Sequence, residues 1–202
     1  MSAPTRPFVL GLTGSIGMGK TTTAGLFAAE GVPVWDADAA VHRLYGSGGQ
    51  AVAAVGALWS DVIQDGAVSR PRLRERIAAD PGALDRLQAV IHPLVAADRA
   101  AFLDAARAPV VLLDVPLLFE SGADALCDGI VVVTAPPDVQ RARVLQRGGM
   151  DAAALDLFLS RQMPDAEKRA RARWVIETRD LVSARTSVEQ ILAEISKGLR
   201  DA

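Results

Sequence analysis

Gly14, Gly17 and Gly19 stand ahead of Lys20 and Thr21 in the run G-S-I-G-M-G-K-T, a complete G-x-x-x-x-G-K-[ST] pattern whose chemistry is phosphate binding. Glycines are needed because backbone N–H groups must turn inward around phosphate oxygens, where a side chain would block the approach. Lys20 adds a mobile cation and Thr21 a hydroxyl suited to Mg²⁺, while Met18 within the loop contributes backbone only and Thr22 continues the nucleotide-wrapping stretch. The apolar run Phe8–Thr13 before the loop reads as a strand and Thr22–Glu30 after it as a helix, so bound phosphates also meet a helix N-terminus.

Other residues decide what is done with the phosphate. The chain contains no Asn, which excludes the N-K-x-D base-reading motif of common GTPases. The apolar run ending in Asp114 continues Val-Pro, so the water-activating Glu of motor and transport ATPases is missing there. Asp114 itself suits Mg²⁺ coordination through water, or caps a turn. Transfer to a small molecule therefore fits better than hydrolysis. On the acceptor side, Val34-Trp35-Asp36-Ala37-Asp38 sets two carboxylates at the carboxyl end of a strand, the ligand-binding edge of an open α/β sheet. Asp38 is placed to accept a hydroxyl's proton, and either Asp is alternatively the N-cap of the following helix. Arg143 and Arg147, four apart on one helical face, and Arg161 beyond a Gly148-Gly149 pair offer the further cations that phosphoryl transfer requires, the alternative being a solvated charged face.

Strand-like runs at Phe8–Thr13, Val32–Trp35, Val110–Val115, Gly129–Thr134 and Trp174–Glu177 alternate with helical patterns, which predicts βαβ units around a parallel sheet of about five strands. Several runs are continuously apolar, as expected when both sheet faces are covered. Residues 39–108 lack a comparable strand and read as a mostly helical substrate-binding insertion, broken near Gly46–Gly49 and Asp65-Gly66. Residues 148–169 read as a mobile lid, with a Gly hinge and a helix over Met150–Met163. The nucleotide-binding core is then 7–38, 109–147 and 170–202.

The 202 residues are half apolar, enough for a sizeable core, and the net charge of −2 suggests no polyanion-binding surface. Of 22 basic residues only Lys20, Lys168 and Lys197 are lysine. The single Cys127 excludes an intramolecular disulfide framework, and its apolar setting predicts an inert thiol. No signal-peptide pattern or membrane-spanning stretch is evident, so the expected setting is the cytoplasm, with no nucleic acid, membrane or obligate protein partner.

The order of motifs resembles the dephospho-CoA kinase family along nearly the whole chain: L-T-G-S-I-G-M-G-K-T at Leu12–Thr21, D-A-D at Asp36–Asp38, R-x-x-L at Arg70–Leu73, and I-H-P at Ile91–Pro93. It continues with D-V-P-L-L-F-E at Asp114–Glu120, Q-x-x-R-x-x-x-R at Gln140–Arg147, and R-Q-M at Arg161–Met163 followed by Glu167-Lys168. The resemblance implies an α/β P-loop NTPase core with a helical CoA-binding insertion and a small lid. The implied activity is ATP- and Mg²⁺-dependent phosphorylation of the ribose 3′-hydroxyl of dephospho-CoA, the last step of coenzyme A biosynthesis. It also implies Asp38 as base, Lys20 and Arg147 as phosphate or transition-state ligands, and His92 on the acceptor side. Leu117, Leu118 and Phe119 read as a floor under the acceptor, Pro116 ahead of them as substrate-binding, and Glu120 as a group that orients the acceptor or begins a helix. Another P-loop small-molecule or nucleoside monophosphate kinase, or a non-catalytic nucleotide sensor, are the alternatives. The chain departs from the family's usual A-D-x-V-I-x-N, a segment that helps hold adenine, where it reads Ala172-Arg173-Trp174-Val175-Ile176-Glu177-Thr178.

Overall fold

A computed structural model describes residues 6–201. In chain order the elements are β1 (Phe8–Thr13), α1 (Lys20–Ala29), β2 (Val34–Asp36), α2 (Ala37–Tyr45), α3 (Ala51–Leu58), β3 (Ile63–Gln64), β4 (Ala67–Val68), α4 (Arg70–Ala79) and α5 (Ala83–Ala105). They continue with β5 (Val110–Asp114), β6 (Gly129–Thr134), α6 (Pro137–Arg147), α7 (Ala152–Ser160), α8 (Asp165–Arg171), β7 (Trp174–Glu177) and α9 (Leu181–Asp201). The chain divides into two units, one running up to Trp35 and resuming at Ala106, the other comprising Asp36–Ala105.

The first unit is built on a five-stranded parallel sheet in the order β2-β5-β1-β6-β7. β1 lies centrally, paired in parallel with β5 (Leu10 beside Leu112) and with β6 (Leu12 beside Val131). Alternate residues of these strands share a face, so Leu10, Leu12, Leu112, Val131, Val133 and Ile176 form one apolar layer. Phe27 of α1 and the stripe Ala184, Val188, Ile191 and Ile195 of α9, at helical spacing, seal that layer. β5 is buried at every position, which is why Val110–Asp114 reads as an unbroken apolar run rather than an alternating one.

The second unit has its own core around Leu44, Val55, Val62, Leu73, Leu87 and Ile91. It is helical except for the hairpin β3–β4, which pairs Ile63 with Val68 and Gln64 with Ala67 across the two-residue loop Asp65-Gly66. Both loop residues take positive φ, 50° and 74°, as a tight hairpin turn demands. The sequence reading placed only a helix break there. The lid segment differs as well. Its helix stops at Ser160, and a second begins behind Pro164, whose ring pre-sets the backbone for a helix start but cannot continue one.

Candidate active site

In a parallel sheet all strands end at one edge, and the first unit gathers its polar residues there. The loop Gly14–Gly19 leaves β1, Asp114 closes the neighbouring β5, Thr134 closes β6, and Thr178 follows β7. Gly14 passes so close to β6 that a Cβ on it would collide with Val133. Gly17 and Gly19 take φ of 77° and 86°, the left-handed region that a side chain disfavours, and Gly19 is the N-cap of α1.

Lys20 Nζ lies 2.5 Å from Asp114 Oδ1, with the lysine side chain 15% exposed and the aspartate 2%. Thr21 and Thr22 face solvent in the first turn of α1. No group of three His, Cys, Asp or Glu side chains able to hold a metal ion occurs among the described residues. Mg²⁺ keeps several waters and binds through one or two protein groups plus substrate phosphates, and the Thr21 hydroxyl and Asp114 carboxylate are oxygen donors of the kind that could take part.

Met18, expected among the nucleotide ligands, is turned the other way. Its N–H donates to the Ser15 carbonyl at 3.2 Å, its carbonyl accepts from the Thr178 hydroxyl at 2.8 Å, and its side chain is buried with Sδ 3.0 Å from the Ala135 N–H. A long thioether fills the space beneath the loop, where a small residue would leave a gap. Arg143 is likewise turned from solvent. Its Nη1 donates to Thr178 Oγ1 at 3.0 Å and its Nη2 to the Thr178 carbonyl at 2.5 Å. Arg147, at the end of α6, and Arg161, which caps α7, are exposed, and their side chains make no ion pair or hydrogen bond among the described residues. Gly148 and Gly149, with φ of 71° and 80°, follow Arg147 directly.

Beyond Asp114 the chain turns, with the Pro116 carbonyl accepting from Thr13 Oγ1 at 3.0 Å. Leu117 is 43% exposed, but Leu118 is fully buried over Gly11 and Phe119 carries the Arg171 guanidinium on its ring at 4.3 Å. Leu118 and Phe119 therefore belong to the packing, and of the two leucines only Leu117 is open to a ligand.

Glu120 ties this turn to the segment that joins α7 to α8 and to α8 itself. Its Oε1 accepts from the Met163 N–H at 3.1 Å and lies 2.9 Å from Nζ of the wholly buried Lys168. The ammonium meets the carboxylate off the hydrogen-bonding direction and keeps unpartnered N–H groups, while Gln162 Oε1 and Asp165 Oδ1 of the same segment are buried acceptors without partners. Burial pushes the Glu120 carboxyl upward, but the Lys168 ammonium and the Met163 N–H outweigh it and hold it below its ordinary value of 4.5. A depressed folded-state value stabilises the fold above the unfolded value and loses that contribution as pH falls through the folded one. Glu120→Gln leaves a buried ammonium uncompensated and is expected to lower stability at pH 7 by about 3 kcal/mol, a fall in Tm of about 9 °C. The gap to the parent should narrow below pH 4.5, and adding Lys168→Met should restore most of the Tm, because no charge then remains buried. Thermal denaturation from pH 3 to 8 checks this. A gap that does not change with pH would remove the ionic account.

In the second unit, Asp36 is the N-cap of α2, its Oδ1 accepting from the N–H groups of Asp38 at 2.8 Å and Ala39 at 3.0 Å. That is the capping alternative for Asp36. Asp38, in the first turn of α2, does not share it. His92 is an exposed residue within α5, one position before Pro93, which interrupts the helix's hydrogen-bond ladder. No helix of the described residues is long and apolar enough to cross a membrane.

Sequence reasoning missed Thr178 and Gln140 as parts of the loop's support. Gln140 had a signal, since it heads the Q-x-x-R-x-x-x-R motif, but its partner, the Ile16 carbonyl at 2.8 Å, is 124 residues away and its burial shows only in the fold.

The profile of the dephospho-CoA kinase family matches residues 8–182. A dephospho-CoA kinase of Cereibacter sphaeroides is 62% identical over 190 residues, 94% of this chain and 96% of that protein. Among solved structures, TT1252 from Thermus thermophilus superposes with a TM-score of 0.82 at 34% identity, covering 94% of this chain and 98% of that one. The dephospho-CoA kinase from Campylobacter jejuni has the same fold, with a TM-score of 0.72 at 24% identity over 94% and 98% of the two chains.

Proposed function

This chain belongs to the dephospho-CoA kinase family, and from that premise we propose how its residues carry the reaction. The enzyme transfers the γ-phosphoryl group of ATP to the ribose 3′-hydroxyl of dephospho-CoA, giving CoA and ADP. The single observation that carries the assignment of roles is the Lys20–Asp114 pair at the carboxyl edge of the sheet, beside the glycine loop that leaves β1.

Gly14, Gly17, Gly19, Lys20, Thr21 and Thr22 hold the triphosphate through backbone N–H groups, the Lys20 ammonium and the threonine hydroxyls. Thr21 and Asp114 would hold Mg²⁺, which when bound neutralises phosphate charge and orients the γ-phosphoryl group. Asp38 accepts the proton of the 3′-hydroxyl as its oxygen forms the new P–O bond, and the bond from γ-phosphorus to the β-bridging oxygen breaks to release ADP. Residues 39–108 form the acceptor-binding insertion, and Asp36, just ahead of it, and His92, within it, lie on the acceptor side. Pro116, Leu117 and Glu120 border the acceptor from the turn after β5. Residues 148–169 form the lid, and the unpartnered Arg147 and Arg161 at its two ends meet the transferring phosphoryl group when it closes, excluding water and limiting hydrolysis. The setting is the cytoplasm, and the partners are the two small-molecule substrates.

ADP formation from ATP and Mg²⁺, measured with and without dephospho-CoA, tests the reading. Stimulation by at least tenfold with a 3′-phosphate on the product is expected. ATP binding without stimulation would point to another acceptor and overturn it.

A further inference from the structure

Two carbonyls of the phosphate loop are held by buried side chains from elsewhere in the fold. No cis peptide bond occurs among the described residues, so the carbonyl and N–H of each loop peptide point in opposite directions. The Met18 carbonyl is fixed by the Thr178 hydroxyl at 2.8 Å, which turns the Gly19 N–H to the opposite side. The Ile16 carbonyl is fixed by Gln140 Nε2 at 2.8 Å, which does the same for the Gly17 N–H. Thr178 and Gln140 are 7% and 6% exposed.

A hydroxyl has one proton to give, and the Thr134 carbonyl at 3.3 Å competes for that of Thr178. Arg143 donates to the same hydroxyl at 3.0 Å and to the Thr178 carbonyl at 2.5 Å, which fixes the side chain's place. Thr178 also packs against Gly19, where an added Cβ would stand 2.9 Å from its Oγ1. The result is a charge-assisted chain from Arg143 through Thr178 to the loop.

We propose that Thr178, set by Arg143, and Gln140 are positioning residues that aim the Gly19 and Gly17 amides at the nucleotide's phosphates, and that Arg143 acts through Thr178 rather than on the γ-phosphoryl group. The proposal rests on the reading of residues 14–21 as the nucleotide loop. It corrects the expectation of Arg143 as a catalytic residue, because both terminal nitrogens of its guanidinium are directed at one buried threonine.

The test is Thr178→Val, which keeps the shape and removes the hydroxyl, beside Thr178→Ser and Arg143→Lys. Inorganic tripolyphosphate, which carries phosphates and no nucleoside, serves as a competitive probe against ATP. Thr178→Val and Arg143→Lys are expected to raise KM for ATP and Ki for tripolyphosphate by a common factor of about 10, with kcat at saturating ATP within about threefold of the parent. KM for dephospho-CoA should not change, and Thr178→Ser should return both constants to within about twofold of the parent. If Thr178→Val does not fold, Gln140→Met acts at the other peptide and carries the same expectation. Unchanged KM and Ki would overturn the proposal, as would a rise in KM for ATP without a rise in Ki, which would put Thr178 on the nucleoside. A loss in kcat of Arg143→Lys that far exceeds its change in KM would return Arg143 to the reacting phosphoryl group. A parent enzyme that binds neither ATP nor tripolyphosphate would sink the loop reading itself.

Discussion

Replacing Lys20 by Met lowers kcat/KM for CoA formation by about a thousandfold, roughly 4 kcal/mol of transition-state stabilisation. Charge spreads over the equatorial oxygens as the γ-phosphoryl group transfers, and a compact ammonium that follows it stabilises that state more than the ground state. Lys20 is suited to this because it sits on a flexible stem at the first residue of α1, while its counter-ion Asp114 is fixed in a buried strand. The same pairing makes Lys20→Met a stability variant too. Asp114, 2% exposed, loses the cation 2.5 Å away, and a buried carboxylate that loses its counter-ion destabilises the fold. The two effects separate in the double variant Lys20→Met/Asp114→Asn, which removes the carboxylate's charge as well. Its Tm should recover while its rate stays low. Initial rates at a temperature where every variant is folded, read beside Tm, check both statements. A Lys20→Met enzyme within tenfold of the parent would remove Lys20 from the chemistry.

Several strands were legible because their signal is local. Phe8–Thr13, Gly129–Thr134 and Trp174–Glu177 match the predicted runs to the residue, and for β1 and β6, which lie inside the sheet, cover on both faces makes the apolar run recognisable without partner information. The loop was legible for a similar reason, because closely spaced glycines followed by a lysine specify their own backbone. What stayed hidden depends on contacts distant in sequence. Met18 looks like a neutral loop variant until the cavity beneath the loop is seen, and Thr178 looks like a lost adenine contact until it is found holding Met18. Arg143 and Arg147 share a helical face and a residue type, yet one is bonded to Thr178 and the other is exposed. Spacing alone cannot distinguish them, because the difference lies in what β7 brings under α6. The hairpin at Asp65-Gly66 was missed for a different reason. Two-residue strands are too short to show a period, and the turn dipeptide was the only signal available.

Asp38→Asn is expected to lower kcat by about a thousandfold while leaving KM for ATP near the parent's, because a positioned base contributes about 10² to 10⁴ in rate and the proposed role of Asp38 is that of the base. The neighbouring Asp36 makes the test decisive. Its Oδ1 accepts two backbone N–H groups at the start of α2, at 2.8 and 3.0 Å, so its carboxylate already has a structural duty that Asp38 lacks. Asn caps helices about as well as Asp, whereas Ala does not. Asp36→Asn should therefore keep both fold and most activity, within about tenfold, and Asp36→Ala should lose about 1 kcal/mol of stability beyond whatever it does to the rate. If the carboxylates exchange roles, the pattern inverts, and Asp36→Asn becomes the slow enzyme with an unaltered Tm.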